Sequence, residues 1–314
     1  MSPRRRPVLA LDIGGTKMAA ALVDPGGRVV QTSRVKTPRG AHADAEALWR
    51  TLTGLVRSVV DDDVRIAGVG VGCGGPMTWP AAEVSPLNIP GWRGFPLRAR
   101  LAELFPKAPV RVHNDAVCLA VGEHWRGAGR GVANLLGMVV STGVGGGLVL
   151  ANRLVDGASG NAGHIGHVVV DPTGPDCSCG GQGCLEAFAS GPRLAQWARD
   201  HGWQSATGDT ARELTADAAR GHDVAAQALD RAGTALGVAI ASAAHLCDLD
   251  VVAVGGGLSQ AGPLLFDPLE VAFRRHARMD FAREVRVVPV ELGQQAGLVG
   301  AAALVLCGDG YWSV

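Results

Sequence analysis

The apolar positions of the chain fall into short runs closed by glycine turns, and these runs set the expected elements. Pro7 to Ile13 reads PVLALDI, with Asp12 near its end and Gly14, Gly15, Thr16 and Lys17 directly after it. Met18 to Val23 and Arg28 to Val35 follow as two more strands, joined by the turn Asp24-Pro25-Gly26-Gly27. The second half repeats the device. Leu135 to Val140 leads into Ser141-Thr142-Gly143-Val144-Gly145-Gly146-Gly147, and Leu148 to Leu150 returns. A third glycine cluster, Gly255-Gly256-Gly257, follows a strand over 250–254 and precedes a helix expected from Ser259, the placement of a βα turn at a ligand crevice. Helical spacing covers 43–60, 97–105, 193–201, 211–220, 224–247 and 296–306, the last with small residues for tight packing. Further strands are expected over 64–71, 110–112 and 285–290, and Asn114-Asp115 opens a helix running to Trp125.

Two strand–turn–strand units predict a duplicated α/β architecture whose halves face each other across a cleft. Each tip offers backbone N–H groups to an anion, so two tips and the third glycine cluster suit a nucleotide polyphosphate. No G-K-[ST] opens a helix, which excludes a Walker loop. A bare hairpin turn also uses glycines, and an Asn-Asp pair at a helix start is ordinarily an N-cap worth about 1 kcal/mol. These residues alone leave both readings open.

The stretch Gly163 to Glu186, GHIGHVVVDPTGPDCSCGGQGCLE, carries the most specific chemistry. His167, Cys177, Cys179 and Cys184 are one imidazole and three thiols, the ligand set of a closed tetrahedral zinc site. Pro175, Gly180, Gly181 and Gly183 let the chain fold around the ion. With no free coordination position the metal is expected to be structural, since a catalytic zinc keeps a water. The alternative is three buried or redox cysteines beside an unrelated histidine.

Composition narrows the partners. At 314 residues, 47% hydrophobic and 18% charged, the chain suits two folded domains. Lys plus Arg equals Asp plus Glu, at 29 each, which leaves no electrostatic footprint for nucleic acid or an anionic membrane. The basic run Arg4-Arg5-Arg6 reads as a frayed terminus, and no apolar segment follows it as in a secretory signal. The longest apolar passage, 236–254, carries His245, Asp248 and Asp250, so it is not expected to span a membrane. Cys73, Cys118, Cys247 and Cys307 lie scattered in apolar contexts, as buried thiols of a reducing compartment would. The expectation is a cytoplasmic protein.

Together, D-I-G-G-T-K at 12–17, N-D at 114–115, S-T-G-V-G-G-G at 141–147 and the cysteine stretch resemble the ROK sugar kinases over nearly the full length. The resemblance implies a two-domain, actin-like hexokinase fold with a duplicated RNase H-like core and a structural zinc loop. One domain would span 1–113, completed by a helix at 296–308. The other would span 114–295, with the zinc loop and dimerisation helices. The cofactors implied are ATP, Mg2+ and Zn2+. Asp12 would sit near the magnesium-bound phosphates, with Gly14, Gly15, Thr16 and Lys17 around the γ-phosphate. Thr142, Gly143, Gly145 and Gly146 would form the second phosphate clamp, and Gly255, Gly256 and Gly257 would lie beside adenosine. Asp115 would be the general base for a sugar 6-hydroxyl, while Asn88, Asn114, His167 and Glu186 would bind other hydroxyls. Phosphoryl transfer needs such positioning, charge neutralisation and a carboxylate within reach of the attacking hydroxyl.

One departure bears on the sugar. Glucose-specific members read E-x-G-H ahead of the zinc loop, whereas this chain has His164-Ile165-Gly166-His167. A histidine can donate or accept and carries no fixed negative charge, so a pocket built around His164 suits a modified hexose. The version with A-G before it and D-P-x-G-P after it resembles the bacterial N-acetylmannosamine kinases. A 3-amino sugar such as kanosamine, or plain glucose, are the alternatives. ROK transcription factors place a helix-turn-helix ahead of this region. Only eleven residues precede Asp12, so an enzyme is expected rather than a regulator, and by resemblance a homodimer.

Overall fold

The computed structural model describes residues 6–40, 43–61 and 64–311; of the opening basic run, Arg4 and Arg5 lie outside them. The chain opens with β1 (Val8–Ile13), β2 (Lys17–Val23) and β3 (Val29–Lys36). Asp24 shapes the β2–β3 turn by accepting from the N–H groups of Gly26 and Arg28, both at 2.9 Å. Next come α1 (Ala45–Arg57), β4 (Val69–Cys73), α2 (Leu97–Leu104), β5 (Val110–Asn114) and α3 (Asp115–Arg126). The Asp44 carboxylate caps α1 by accepting from Ala47 N–H at 2.7 Å, which sets its start two residues after the expected one. Then follow β6 (Leu135–Val140), β7 (Val144–Leu150), β8 (Arg153–Leu154), α4 (Leu185–Ala189), α5 (Gly191–Asp200), α6 (Ala211–Ala219) and α7 (Asp223–Cys247). The chain continues through β9 (Val251–Gly255), α8 (Pro263–His276), α9 (Asp280–Arg283), β10 (Arg286–Pro289), α10 (Ala296–Leu306) and α11 (Gly308–Tyr311).

The first sheet has the order β3-β2-β1-β4-β5, and the second β8-β7-β6-β9-β10. The two orders match strand for strand, each with parallel pairing on the later side and an antiparallel ribbon on the earlier one. This is the duplication that the repeated strand–turn–strand pattern predicts.

Contacts divide the chain into two units. One comprises the described residues up to Gly131, then Gly147–Ala162 and those from Glu291 on; the other is Val132–Gly146 with Gly163–Val290. The sequence places a boundary at 113/114, but α3 packs on α10 and stays with the first unit.

In the first unit the sheet is covered on both faces. Leu9, Leu11 and Ile13 pack with Leu48 and Leu52 of α1 and Leu97 and Leu101 of α2. Val8, Ala10 and Ala19 pack with Val117 and Val121 of α3 and Leu298, Ala301 and Ala302 of α10. The small residues of α10 have a specific cause. A β-carbon on Gly300 would fall inside the carbonyl oxygen of Cys118, and one on Gly70 inside that of Ala301.

In the second unit α7 packs along α8 by the same means, since a β-carbon on Gly233 would lie 2.6 Å from Leu265 O. Two expected elements change, one in each unit. The helix from Ser259 is a short 3-10 turn over Leu258–Ala261; Gly262, at φ 58°, breaks it, and α8 then starts with Pro263 at its first position. In the first unit, the strand expected over 64–71 starts only at Val69, where β4 comes into register with Leu9.

Candidate functional site

Each unit carries part of the predicted set. In the first, Asp12 stands in register with Gly72, and Gly72 with His113, across three neighbouring parallel strands. A β-carbon on Gly72 would meet Cys118 Sγ at 3.2 Å and Asp115 Cα at 3.4 Å, so the glycine admits the first turn of α3 to the strand ends. Asn114 is the N-cap, its side-chain oxygen 2.9 Å from Ala116 N–H, and Asp115 Oδ1 accepts from the same group at 2.9 Å. A carboxylate at a helix N-terminus is favoured in its ionised form. Burial, and then the charge of Asp115, push the Asp12 carboxyl up to about 6, against the opposing charges of Lys17 and Arg34. Gly297 of α10 is open towards it: a β-carbon there would lie 3.5 Å from the Asp12 carboxylate.

The turn between β1 and β2 closes through Gly14 N–H to Lys17 O at 3.0 Å. Two residues that the sequence does not single out hold it in shape. Thr37 donates its hydroxyl to Gly14 O at 2.6 Å and its N–H to Thr16 O at 3.1 Å. The Arg39 guanidinium donates to Gly15 O at 2.9 and 3.1 Å and to Thr16 Oγ1 at 3.0 Å. Both lie more than twenty positions from the turn they brace, so no local pattern marks them. Gly15 lacks a β-carbon because one would sit 2.5 Å from Asn88 Cβ; this contact brings the exposed Asn88 against the turn.

In the second unit the glycine stretch departs from the expected loop. Only Ser141 to Gly143 turn, closed by Ser141 N–H to Gly143 O at 2.9 Å, while Val144 to Gly147 already belong to β7. Packing accounts for those glycines. A β-carbon on Gly146 would meet Gly163 O at 2.9 Å and Ile165 Cγ2 at 2.9 Å. The turn itself is tied down on two sides: Glu186 Oε2 accepts from Val144 N–H at 2.8 Å, and Ser141 O accepts from Gly191 N–H at 2.7 Å. Thr142 stands exposed at its tip. Gly256, at φ 94°, lies against Val140, and Ser259 donates its hydroxyl to Gly256 O at 2.8 Å. A β-carbon on Gly257 would lie 3.7 Å from Ser141 Oγ, so the predicted Gly255–Gly257 cluster adjoins the turn of Thr142 and Gly143.

The cysteine stretch folds as its composition suggests. The ligand atoms of His167, Cys177, Cys179 and Cys184 all lie within 4.8 Å of one another. Cys179 Sγ and Cys184 Sγ are 3.7 Å apart, and Cys177 Sγ is 3.8 Å from His167 Nδ1. A tetrahedron with metal–sulfur bonds of about 2.3 Å has edges of about 3.8 Å, so the residues present fit zinc. Gly180 and Gly183 take left-handed conformations, at φ 90° and 71°. His167 turns Nδ1 to the thiols, and its ring lies 6.3 Å from that of His164, nearly parallel at 18°. Glu186 joins this loop to the glycine turn, because its other oxygen accepts from Ser178 Oγ at 3.4 Å.

No helix among the described residues is long and apolar enough to cross a membrane. A model of the ROK family matches residues 8–307. A glucokinase of Streptomyces coelicolor is 33% identical over 311 residues, covering 94% of this chain and 96% of that protein. An N-acetylmannosamine kinase of Yersinia pseudotuberculosis is 34% identical over 294 residues, covering 94% and 96%. The crystal structure of a ROK family glucokinase from Streptomyces griseus, in complex with glucose and AMPPNP, superposes with a TM-score of 0.82 at 33% identity, covering 95% of this chain and 98% of that one.

Proposed function

The chain belongs to the ROK family, and from that membership we propose that it is an ATP-dependent sugar kinase. It moves the γ-phosphate of ATP to the 6-hydroxyl of a hexose, with an acylamino-hexose of the N-acetylmannosamine kind as its acceptor. The observation that carries the reading is Asp115, held at the N-terminus of α3 and close enough to Asp12 for its charge to raise that carboxyl's pKa. Asp115 accepts the proton of the attacking hydroxyl, and the helix terminus keeps it ionised for that task. Asp12 holds the magnesium-bound phosphates, whose charge the cation helps to neutralise. The turns at Gly14–Lys17 and Ser141–Gly143, with Gly255–Gly257, cradle the nucleotide.

Asn88, Asn114, His164, His167 and Glu186 bind the sugar. The three cysteines and His167 Nδ1 would hold zinc, which would fix the imidazole and leave its other nitrogen for a hydroxyl. His164, in place of a fixed acceptor, favours a substituted hexose over glucose, and a mismatch of buried polar groups can set such preferences. Assembly as a homodimer belongs to the same proposal on family likeness alone. The test is to incubate the protein with Mg-ATP and N-acetylmannosamine and to locate phosphorus on the product by NMR. The 6-phosphate is expected; phosphate on the anomeric oxygen, or ATP consumed without a sugar phosphate, contradicts the reading.

A further inference from the structure

His113 is the penultimate residue of β5, directly ahead of Asn114 and Asp115, and it is fully buried. Its ring is committed at both nitrogens. Nδ1 accepts from the backbone N–H of Asn114 at 2.8 Å, and Nε2 lies 2.8 Å from Asp156 Oδ1. A nitrogen that accepts carries no proton, so the ring hydrogen sits on Nε2 and is donated to the Asp156 carboxylate. Trp79 closes over the imidazole, with ring centroids 5.3 Å apart, and Gly160, at φ 77°, admits the indole. A buried imidazole with both nitrogens satisfied is rigid, and the group it grips is the peptide that opens α3.

We propose that His113 and Asp156 form a positioning pair for the reacting end of the molecule. The imidazole fixes the Asn114 peptide, and with it the directions in which the Asn114 and Asp115 side chains leave the start of α3. Asp156, from the segment after β8, fixes the imidazole. Neither residue touches substrate. The pair rests on the reading of Asp115 as the base for a sugar hydroxyl, where a misplacement of about 1 Å can cost about a hundredfold in rate.

Two measurements test it. In the substrate-free protein, 15N-labelled at its nine histidines, the His113 resonance, identified by its loss in His113→Gln, is expected to show the Nε2–H tautomer. A Nδ1–H or doubly protonated ring overturns the proposal, whatever the activity. Asp156→Ala is expected to lower kcat about a hundredfold while the KM for ATP moves by less than about threefold, and Asp156→Asn, which still accepts from Nε2–H, recovers at least about tenfold of the loss. An Asp156→Ala enzyme with kcat within about threefold of the parent overturns the pair and leaves the kinase reading intact. A parent protein that phosphorylates no hexose contradicts the kinase reading instead, and the tautomer then decides the pair alone.

Discussion

Asp12 of β1 and Asp115, the first residue of α3, stand at the same end of the first sheet, with Gly72 of β4 in register with Asp12 and against Asp115. Burial and the second carboxylate hold the Asp12 proton on to about pH 6, where an unfolded aspartate has lost it two units lower. A pair of acids forced together in this way is costly for a bare protein. Under the proposed function, a cation and a polyphosphate would share that charge.

The cost is measurable in the metal-free protein. Because the folded state raises the Asp12 pKa, its favourable contribution is complete below the unfolded value of 3.8 and lost as pH rises through about 6. Asp12→Asn is therefore expected to stabilise the apo protein by up to about 3 kcal/mol at pH 8, and by about half of that at pH 5. Urea denaturation at the two pH values reads both. A variant that is less stable than the parent at pH 8 would show that Asp12 is not strained by its surroundings.

Asp115→Asn keeps an oxygen for Ala116 N–H and is expected to fold with a melting temperature close to the parent's. Its turnover is expected to fall by about 10²–10⁴-fold, the usual range for a general base, with the KM for ATP little changed. Near-normal turnover would remove Asp115 from that role.

The cysteine loop is expected to carry about one zinc per chain by elemental analysis, the number a closed four-ligand site holds. Cys184→Ser is expected to lose the metal, lower the melting temperature and weaken the sugar more than ATP, because His167 loses its anchor. Metal-free protein with unchanged sugar affinity would break the link between the loop and the acceptor.

Gly300→Ala tests the packing that brings α10 onto α3. The added methyl would enter the Cys118 carbonyl, so the backbones must separate, at about 1–3 kcal/mol or more. Thermal or urea unfolding checks this, and a neutral result would mean that the two helices are not in contact at that point.

The parts legible in the sequence were those whose partners are close along the chain. The D-I-G-G-T-K turn is contiguous, and His167 with the three cysteines falls within eighteen positions, so one short segment carries each pattern. The repeated strand–turn–strand pattern likewise gave the duplicated sheets. What stayed hidden is held by long-range contacts. Thr37 and Arg39 brace a turn more than twenty residues upstream, and His113 meets Asp156 across 43 positions. Gly146 looks like a loop glycine but is a strand residue kept small by Gly163 and Ile165. The helix expected from Ser259 begins only at Pro263, because Gly262 ends the 3-10 turn before it.

His164 and His167 are the proposed sugar ligands on which the choice of acceptor depends. The most direct measurement is kcat/KM with Mg-ATP for N-acetylmannosamine, N-acetylglucosamine, mannose, kanosamine and glucose, under one set of conditions. N-acetylmannosamine is predicted to lead and glucose to trail by about tenfold or more, as expected when buried polar groups are mismatched. Glucose in first place would contradict the assignment of His164, and no turnover with any of the five would contradict the kinase itself.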